Sequence, residues 1–587
     1  MTTLLSLVAS AIGIFAICYL AYGRYLRRSL DISDSRTTPA HRFRDGKEYV
    51  PSRKLVLFGH HFSSIAGAAV IIGPITAALA WGWLPAIAWI VVGTVVFGGL
   101  NDFATLVASV RHSGRSVGHI FERYVGTSGK RFLLTLAVAA NLLVIGVLSL
   151  VTAVIFDAFP GAATASIFYV VLAGLFGVYW KRLDLPFLVG SAVFAFGVLA
   201  GVFVGLSHPL VLVPEGATIP LPTILNPNVS AWLAVILGYG FVASVLPVWV
   251  LLQPRDYLSS FLLYAGLGGA LLALVVGTLW GTASEPLVMN LEAYTGFTSE
   301  RLGGIGPLVP LLFPTIFCGA VCGLHSMVCC GTTPKQLSNE TDAQAIGYGT
   351  TIAEGIVAVI AVAAVGVVPQ IPSGSGLDLA LPTFTRGGSI ILSSLGIPPE
   401  VGGMFLALML SAFALTTVDT SIRLGRYFLD EIAESTDVSG SDLLSRPVLV
   451  AGIQTVLAYV LVASGSWSTV WPLFGGAVQI FASLSMVTLA VWLASSERNR
   501  LQQGMLAGAA FVFTMSAAAL LYLTSVNLGR LAEPQWLASA PALAIVSTAV
   551  QVLIVIALLG LSALVLKDAL NTLRGTAQPT APCPSDD

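Results

Sequence analysis

The chain has 587 residues, 56% of them hydrophobic and only 10% charged, with 28 Lys/Arg against 29 Asp/Glu and a mean hydropathy of +0.88. Soluble domains carry about 25% charged residues, so this composition excludes a soluble enzyme or binding module and predicts a polytopic membrane protein. A net charge of −1 offers no general attraction for nucleic acid, and six cysteines are too few for a disulfide scaffold.

The first apolar run, 3–23, is followed rather than preceded by Arg24, Arg27 and Arg28, the reverse of a signal peptide's layout, so it reads as a retained span. Runs of about 20 apolar residues recur at 55–80, 84–110, 131–157, 162–180, 185–207, 229–252, 258–282, 306–331, 347–369, 398–422, 446–464, 468–494, 503–524 and 542–566. The expected architecture is all-α, with about fifteen transmembrane helices. With the N-terminus outside and the C-terminus cytosolic, inside segments hold 25 of the 28 Lys/Arg, and only Arg301, Arg386 and Arg530 fall outside. The chain divides into a first helix with a basic cytosolic loop (1–54), a core (55–430), C-terminal helices (431–570) and a tail (571–587) without periodicity, expected to be disordered. It has no phosphate-binding Gly-Lys-Ser/Thr loop, so uphill transport would draw on an ion gradient.

Two spans carry paired glycines and an internal proline. The second has Gly67, Gly73 and Pro74; the seventh has Gly238, Gly240 and Pro247. Breaks at corresponding positions of two inverted halves mark substrate sites in secondary transporters. The five-helix spacing predicts an inverted 5+5 repeat of helices 2–6 and 7–11, one N-terminal and about four C-terminal helices flanking it. Main-chain groups near Ala66, Gly67, Gly73 and Pro74, and near Tyr239, Gly240 and Pro247, are the expected substrate contacts; two merely kinked helices are the alternative.

Ionisable residues at membrane depth are costly and mark pathways or buried pairs. His60 and His61 open the second span, and histidine titrates near neutral pH; the alternative is a pair of satisfied interior histidines. Asp102 in GGLNDFATL is a proton acceptor or a helix-end charge, and Glu354 is either functional or an end anchor. Asp419 shares a helix face with Arg423 and Arg426, which predicts an intrahelical ion pair or a cytosolic gate. Cys318, Cys322, His325 and Cys329 recur as one stripe on the ninth span. Its end cysteines would be about 16 Å apart on a continuous helix, too far to share an ion. His325 therefore reads as part of a polar pathway, with no metal or cofactor expected.

Five ordered segments carry a family resemblance: DGKEYVPSRKLVLFGHHFSSIAGA (45–68), LPVWVLLQPRDYL (246–258), GTTPKQLSNETDAQAIGYG (331–349), TTVDTSIRLGRY (416–427) and WPLFGGAVQ (471–479). Together they span most of 40–495, and the chain resembles the carbon starvation protein A family. That resemblance implies an inner-membrane transporter of the amino acid–polyamine–organocation superfamily with the leucine-transporter-type repeat, taking up peptides or pyruvate with protons. The chain departs from the family pattern at Cys329-Cys330, where serines are usual, at Val478, where Asn precedes the Gln, and at Asn101. These departures bear on substrate identity. The reading is a proton symporter for short peptides or a small organic anion, with His60, His61, Asp102 and His325 on the proton path, Asp419 and Arg423 at the inner gate, and the lipid bilayer as surroundings. The rivals are a nutrient sensor, a metal or redox protein using the Cys/His stripe, and a passive channel.

Overall fold

The computed structural model describes residues 3–46, 48–183, 185–217, 226–247, 250–300, 306–374, 376–434, 443–462, 467–495 and 498–575. Helix α1 (Leu4–Ser29) starts where the Thr3 hydroxyl accepts from the Ser6 N–H at 3.2 Å, satisfying one of its orphan donors. After a single turn, α2 (Pro39–Arg42), comes a broken span, α3 (Lys54–Ile65) and α4 (Ala69–Trp81), bent by 50°. Gly82 leads directly into α5 (Trp83–Val92), which runs through a π-helical turn, Gly93–Gly98, into α6 (Gly99–Arg111). Then follow α7 (Val117–Tyr124), α8 (Thr127–Ala158), α9 (Pro160–Lys181), α10 (Phe187–Ser207), α11 (Pro227–Val245) and α12 (Leu252–Trp280).

An antiparallel ribbon of β1 (Thr298–Ser299) and β2 (Gly306–Pro307), with Thr298 opposite Pro307 and Ser299 opposite Gly306, enters a second broken span. Its halves are α13 (Leu308–Thr315) and α14 (Gly323–Gly331). A π-helical turn, Gln344–Tyr348, precedes α15 (Gly349–Gly366). The remaining helices are α16 (Gly376–Ser393), α17 (Pro399–Glu434), α18 (Pro447–Val462), α19 (Trp467–Ala494), α20 (Asn499–Ala532), α21 (Pro534–Ser539) and α22 (Ala542–Leu573).

Among the described residues, twelve helices are long and apolar enough to cross a membrane, and the bent α3–α4 pair makes thirteen. The expected fifteen are reached only by adding the short α18 and the broken α13–α14. Helices that are apolar all round belong in the middle: α8 and α19 are buried along most of their length. By contrast, α1 and α10 turn Ile17, Leu20, Leu188 and Phe196 outward. Helix α16, where only a loop was expected, carries Asp378, Pro382 and Arg386 and is too polar for a lipid-facing span. Its C-terminal end meets the 282–284 segment: Thr282 donates to the Ser394 carbonyl at 2.9 Å and the Ser284 N–H to Ser393 Oγ at 2.9 Å. Asp378 near its start lies within electrostatic range of Asp157 at the end of α8. Both ends are thus at one face, and α16 leaves the alternation of the spans intact.

The two faces are distinguishable. At one, the Leu4 N–H bonds the Leu287 carbonyl at 3.0 Å, Trp83 N–H the Glu292 carbonyl at 3.2 Å and Asn290 N–H the Gly366 carbonyl at 2.7 Å. At the other, buried Glu340 pairs with Arg111 at 2.8 Å and Arg36 at 3.0 Å, and the Ser52 N–H donates to the Gln336 carbonyl at 3.0 Å. The basic 24–54 segment is therefore clasped to the polar 332–346 stretch.

The expected interruption of the seventh span is not observed. Helix α11 is continuous through Gly238 and Gly240 to Val245, and Pro247 lies beyond its end, where proline commonly follows a helix. Gly240 serves packing instead: a Cβ there would come within 2.8 Å of Ile422 and 3.1 Å of Val418 on α17, the close helix approach that small residues permit in membranes. The second break lies in the ninth span, between α13 and α14. Of the tail, 576–587 lies outside the described residues.

Candidate functional site

The two broken spans run in opposite directions side by side. A Cβ on Gly73 would sit 2.4 Å from the Thr315 carbonyl oxygen, so α4 can approach α13 only because residue 73 has no side chain. Pro74 is buried in α4, and its missing N–H leaves the Val70 carbonyl without a helical partner. At the first break, Ala66 ends α3, and Gly67 faces Thr417 of α17, 3.1 Å from where its Cβ would be.

Breaking a helix frees carbonyls that hydrocarbon cannot satisfy. Around the second break the protein supplies fixed donors. Gln479 donates to the Phe313 carbonyl at 2.9 Å, Trp471 Nε1 to Thr315 at 3.1 Å, Trp89 Nε1 to Ile316 at 3.0 Å and the Thr94 hydroxyl to Gly319 at 2.7 Å. This explains the WPLFGGAVQ segment: Trp471 and Gln479 sit two turns apart on α19 and hold two of the carbonyls, while Gly475 between them would put a Cβ 1.8 Å from the Pro314 carbonyl oxygen. Helix α19, C-terminal to the expected core boundary, thus packs directly on the break.

On the α14 side of that break sits His325. Its Nδ1 is 2.9 Å from Asp102 Oδ2 on α6, and its Nε2 is 3.3 Å from Glu354 Oε2 on α15. The Thr351 hydroxyl also donates to Asp102 Oδ2 at 2.7 Å, and the Asn101 amide reaches Asp102 Oδ1 at 3.1 Å and Ser326 Oγ at 2.8 Å. Every one of these side chains is fully buried. Two carboxylates bridged by one imidazole in a low-dielectric interior cannot all carry isolated charge, so the chain retains a proton or another cation. Both oxygens of Glu354 otherwise have no hydrogen-bond partner.

The predicted four-residue stripe divides. Cys318 and Cys322 are in the non-helical break, with their sulfurs 3.7 Å apart and Cys318 Sγ 4.0 Å from His325 Nε2. Cys329 lies instead 3.7 Å from His61 Nε2, whose Nδ1 is 2.8 Å from the Thr333 hydroxyl. His61 therefore lies between Thr333 and Cys329, and Cys329 is one helical turn along α14 from His325. His60 points elsewhere, its ring Nε2 without a hydrogen-bond partner and its carbonyl taken by Ser63 and Ser64.

A second polar cluster lies across the first break. Asp419 on α17 pairs with Arg255 at the start of α12, both fully buried. Arg255 also donates to Tyr239 Oη at 2.8 Å and Asp256 Oδ1 at 2.9 Å, and Tyr239 Oη is 3.4 Å from Asp419 Oδ2. The expected Asp419–Arg423 partnership is not the one formed. Arg423 donates to the carbonyls of Ala243 at 3.2 Å and Leu246 at 2.6 Å, and Arg426 to that of Ser244; both cap the C-terminal end of α11, where cations are favoured. Tyr239 is thus a polar partner of the ion pair through its hydroxyl, whereas Gly240 is a packing residue and Pro247 is exposed. Arg255 falls between two predicted spans and so counts towards sidedness and not as a charge at membrane depth; the signal for it is an Arg beside Asp256 in the mostly apolar LPVWVLLQPRDYL.

A helical membrane protein with two adjoining broken spans and a desolvated carboxylate–histidine–carboxylate chain has the make-up of a transporter rather than an enzyme. The chain belongs to the carbon starvation protein CstA family, whose sequence profile matches residues 3–373 and 377–519. It is 30% identical to the peptide transporter CstA of Escherichia coli K12, covering 84% of this chain and 77% of that protein. Against the peptide transporter CstA of Mycobacterium tuberculosis H37Rv it is 32% identical, covering 78% and 67%. The pyruvate/proton symporter BtsT of E. coli K12 is 30% identical, with 78% and 62% covered. Among solved structures, MhsT in complex with L-phenylalanine overlaps with a TM-score of 0.45 at 14% identity, covering 80% of this chain and 98% of that one. The Eremococcus coleocola manganese transporter overlaps at 0.38 and 12%, covering 88% and 94%.

Proposed function

We propose that this protein is a secondary active transporter that imports a short peptide or a small organic anion such as pyruvate across the bacterial inner membrane, coupled to protons, with its N-terminus outside and its C-terminus cytosolic. The observation that carries the reading is His325, fully buried between Asp102 and Glu354 and placed at a helix break. The names of the relatives, peptide transporter and pyruvate/proton symporter, supply the substrate classes.

The substrate sits where the two breaks adjoin, with backbone groups near Ala66, Gly67, Gly73 and Pro74 as contacts from the first span. The contacts expected from Tyr239, Gly240 and Pro247 pass to the 316–322 break. Amide ends of the half-helices favour a carboxylate there. Asp102, His325 and His61 form the proton path and open to the cytosolic face through Thr333; the Asp419–Arg255 pair, held beside Arg423, acts as the inner gate. Fifteen spans follow if α13–α14 and α18 both cross. A 5+5 inverted repeat then starts at each broken span, with the exposed α9–α10 hairpin as an insertion between them.

The test is uptake of labelled pyruvate and dipeptides into proteoliposomes with and without an inward proton gradient. Gradient-driven accumulation of either substrate is expected. Binding without uptake would instead make the protein a sensor, and gradient-independent flux would make it a channel.

A further inference from the structure

Cys318, Cys322 and His325 place their ligand atoms within 4.8 Å of one another, all fully buried. They come from a non-helical break and the first turn of α14, so the grouping arises from the break itself, which folds two cysteines back over the histidine. The spacing is that of a tetrahedral site. For Zn–S of about 2.3 Å and Zn–N of about 2.0–2.1 Å, tetrahedral geometry puts two sulfurs about 3.8 Å apart and a sulfur and a nitrogen about 3.6 Å apart. The observed separations are 3.7 Å for Cys318–Cys322 and 4.0 Å for Cys318 Sγ–His325 Nε2.

A second observation points into the same place. Glu354 carries two buried oxygens without a hydrogen-bond partner, and Oε2 is 3.3 Å from His325 Nε2, against about 3.4 Å for nitrogen and oxygen ligands on one tetrahedral zinc. The other ring nitrogen is committed in the way metal-binding histidines require. Nδ1–H donates to Asp102 at 2.9 Å, and Asp102 is itself held by Thr351 and Asn101. A carboxylate behind the distal nitrogen fixes the tautomer that leaves Nε2 free to ligate.

We propose that Cys318, Cys322, His325 and Glu354 form a binding site for a thiophilic divalent cation, zinc in the first instance. Binding forms two Zn–S bonds, one Zn–N bond and one Zn–O bond, and the thiol protons leave to solvent. The metal ties the break to α14 and α15. The polar line through Cys329, His61 and Thr333 is its route from the 332–346 face. The site shares His325 with the proposed proton path, but its test reads metal binding and no uptake, so either reading can fail without the other.

Full-length protein without a polyhistidine tag is purified in detergent, stripped with EDTA, loaded with Zn²⁺ and dialysed before metal analysis. One zinc per chain is expected, and Cys318→Ser, Cys322→Ser and Glu354→Gln should each weaken binding at least tenfold in a chelator competition while still eluting as monodisperse protein. Co²⁺ loading of the wild type provides a readout that needs no variant: thiolate-to-cobalt charge-transfer absorption is expected with tetrahedral ligand-field bands. Sub-stoichiometric zinc, retention unaffected by both cysteine variants, or a Co²⁺ spectrum lacking thiolate charge transfer would each overturn the proposal.

Discussion

Arg255 is the residue whose replacement should cost the most. Its side chain and that of Asp419 are both 0% exposed, and Asp419 Oδ1 has no hydrogen-bond partner. Replacing Arg255 with Met keeps the aliphatic bulk but strands a buried carboxylate that keeps the Tyr239 hydroxyl, at 3.4 Å, and no cation. Removing one partner of a buried pair costs about 3–5 kcal/mol. The upper part of that range applies here, because Asp256, the other carboxylate on Arg255, is 35% exposed and can rely on water, whereas Asp419 cannot. Adding Asp419→Asn removes the stranded charge, so the double variant should recover at least about 2 kcal/mol, as pairs replaced together are often near neutral. Equilibrium unfolding in mixed detergent–SDS micelles, followed by circular dichroism, measures both. A single variant within about 1 kcal/mol of wild type, or a double variant no more stable than the single, would refute the assignment of a desolvated pair.

Asp102→Asn should abolish proton-driven uptake while leaving the protein inserted and monodisperse; wild-type uptake would remove Asp102 from the coupling path. Trp89→Phe and Trp471→Phe each strand one buried carbonyl, of Ile316 or Thr315, and should each destabilise by about 1–3 kcal/mol in the same unfolding assay. Two glycine substitutions separate a real break contact from an ordinary helical position. Gly475→Ala, with a Cβ 1.8 Å from the Pro314 carbonyl oxygen, should prevent correct folding. Gly238→Ala, with nothing within 4 Å, should be neutral or stabilise α11 by up to about 1 kcal/mol. Equal behaviour of the two in expression and thermal stability would contradict the placement of the second break.

Much of the site's raw material could be read from the chain, but its pairings could not. Asp102, His325 and Asp419 stood out because an ionisable residue in an apolar run is conspicuous on its own. Their partners are not: Asp102 meets His325 across 223 residues and Asp419 meets Arg255 across 164. Arg423, a plausible i+4 partner for Asp419, is drawn away by the carbonyls that end α11. The second break was misplaced for a related reason. Gly238, Gly240 and Pro247 look like breakers locally, but α11 stays helical: Gly240 lets α17 approach, Gly238 has nothing within 4 Å, and Pro247 falls past the helix end. The segment 315–322 is mostly apolar and opens because Trp89, Thr94 and Trp471, from other spans, offer its carbonyls better partners than the helix would.

By itself, then, the amino-acid sequence determined the membrane class, most of the spans and a grouping of loops that the two faces of the fold share. Hydropathy and charge act residue by residue and add along the chain. Only the tertiary structure decided which span breaks second, which carboxylate holds which cation, and that Cys318 and Cys322 leave the helical stripe to gather over His325. Those outcomes depend on where a freed carbonyl or a buried charge finds its nearest donor, and in this protein that donor commonly belongs to a distant span.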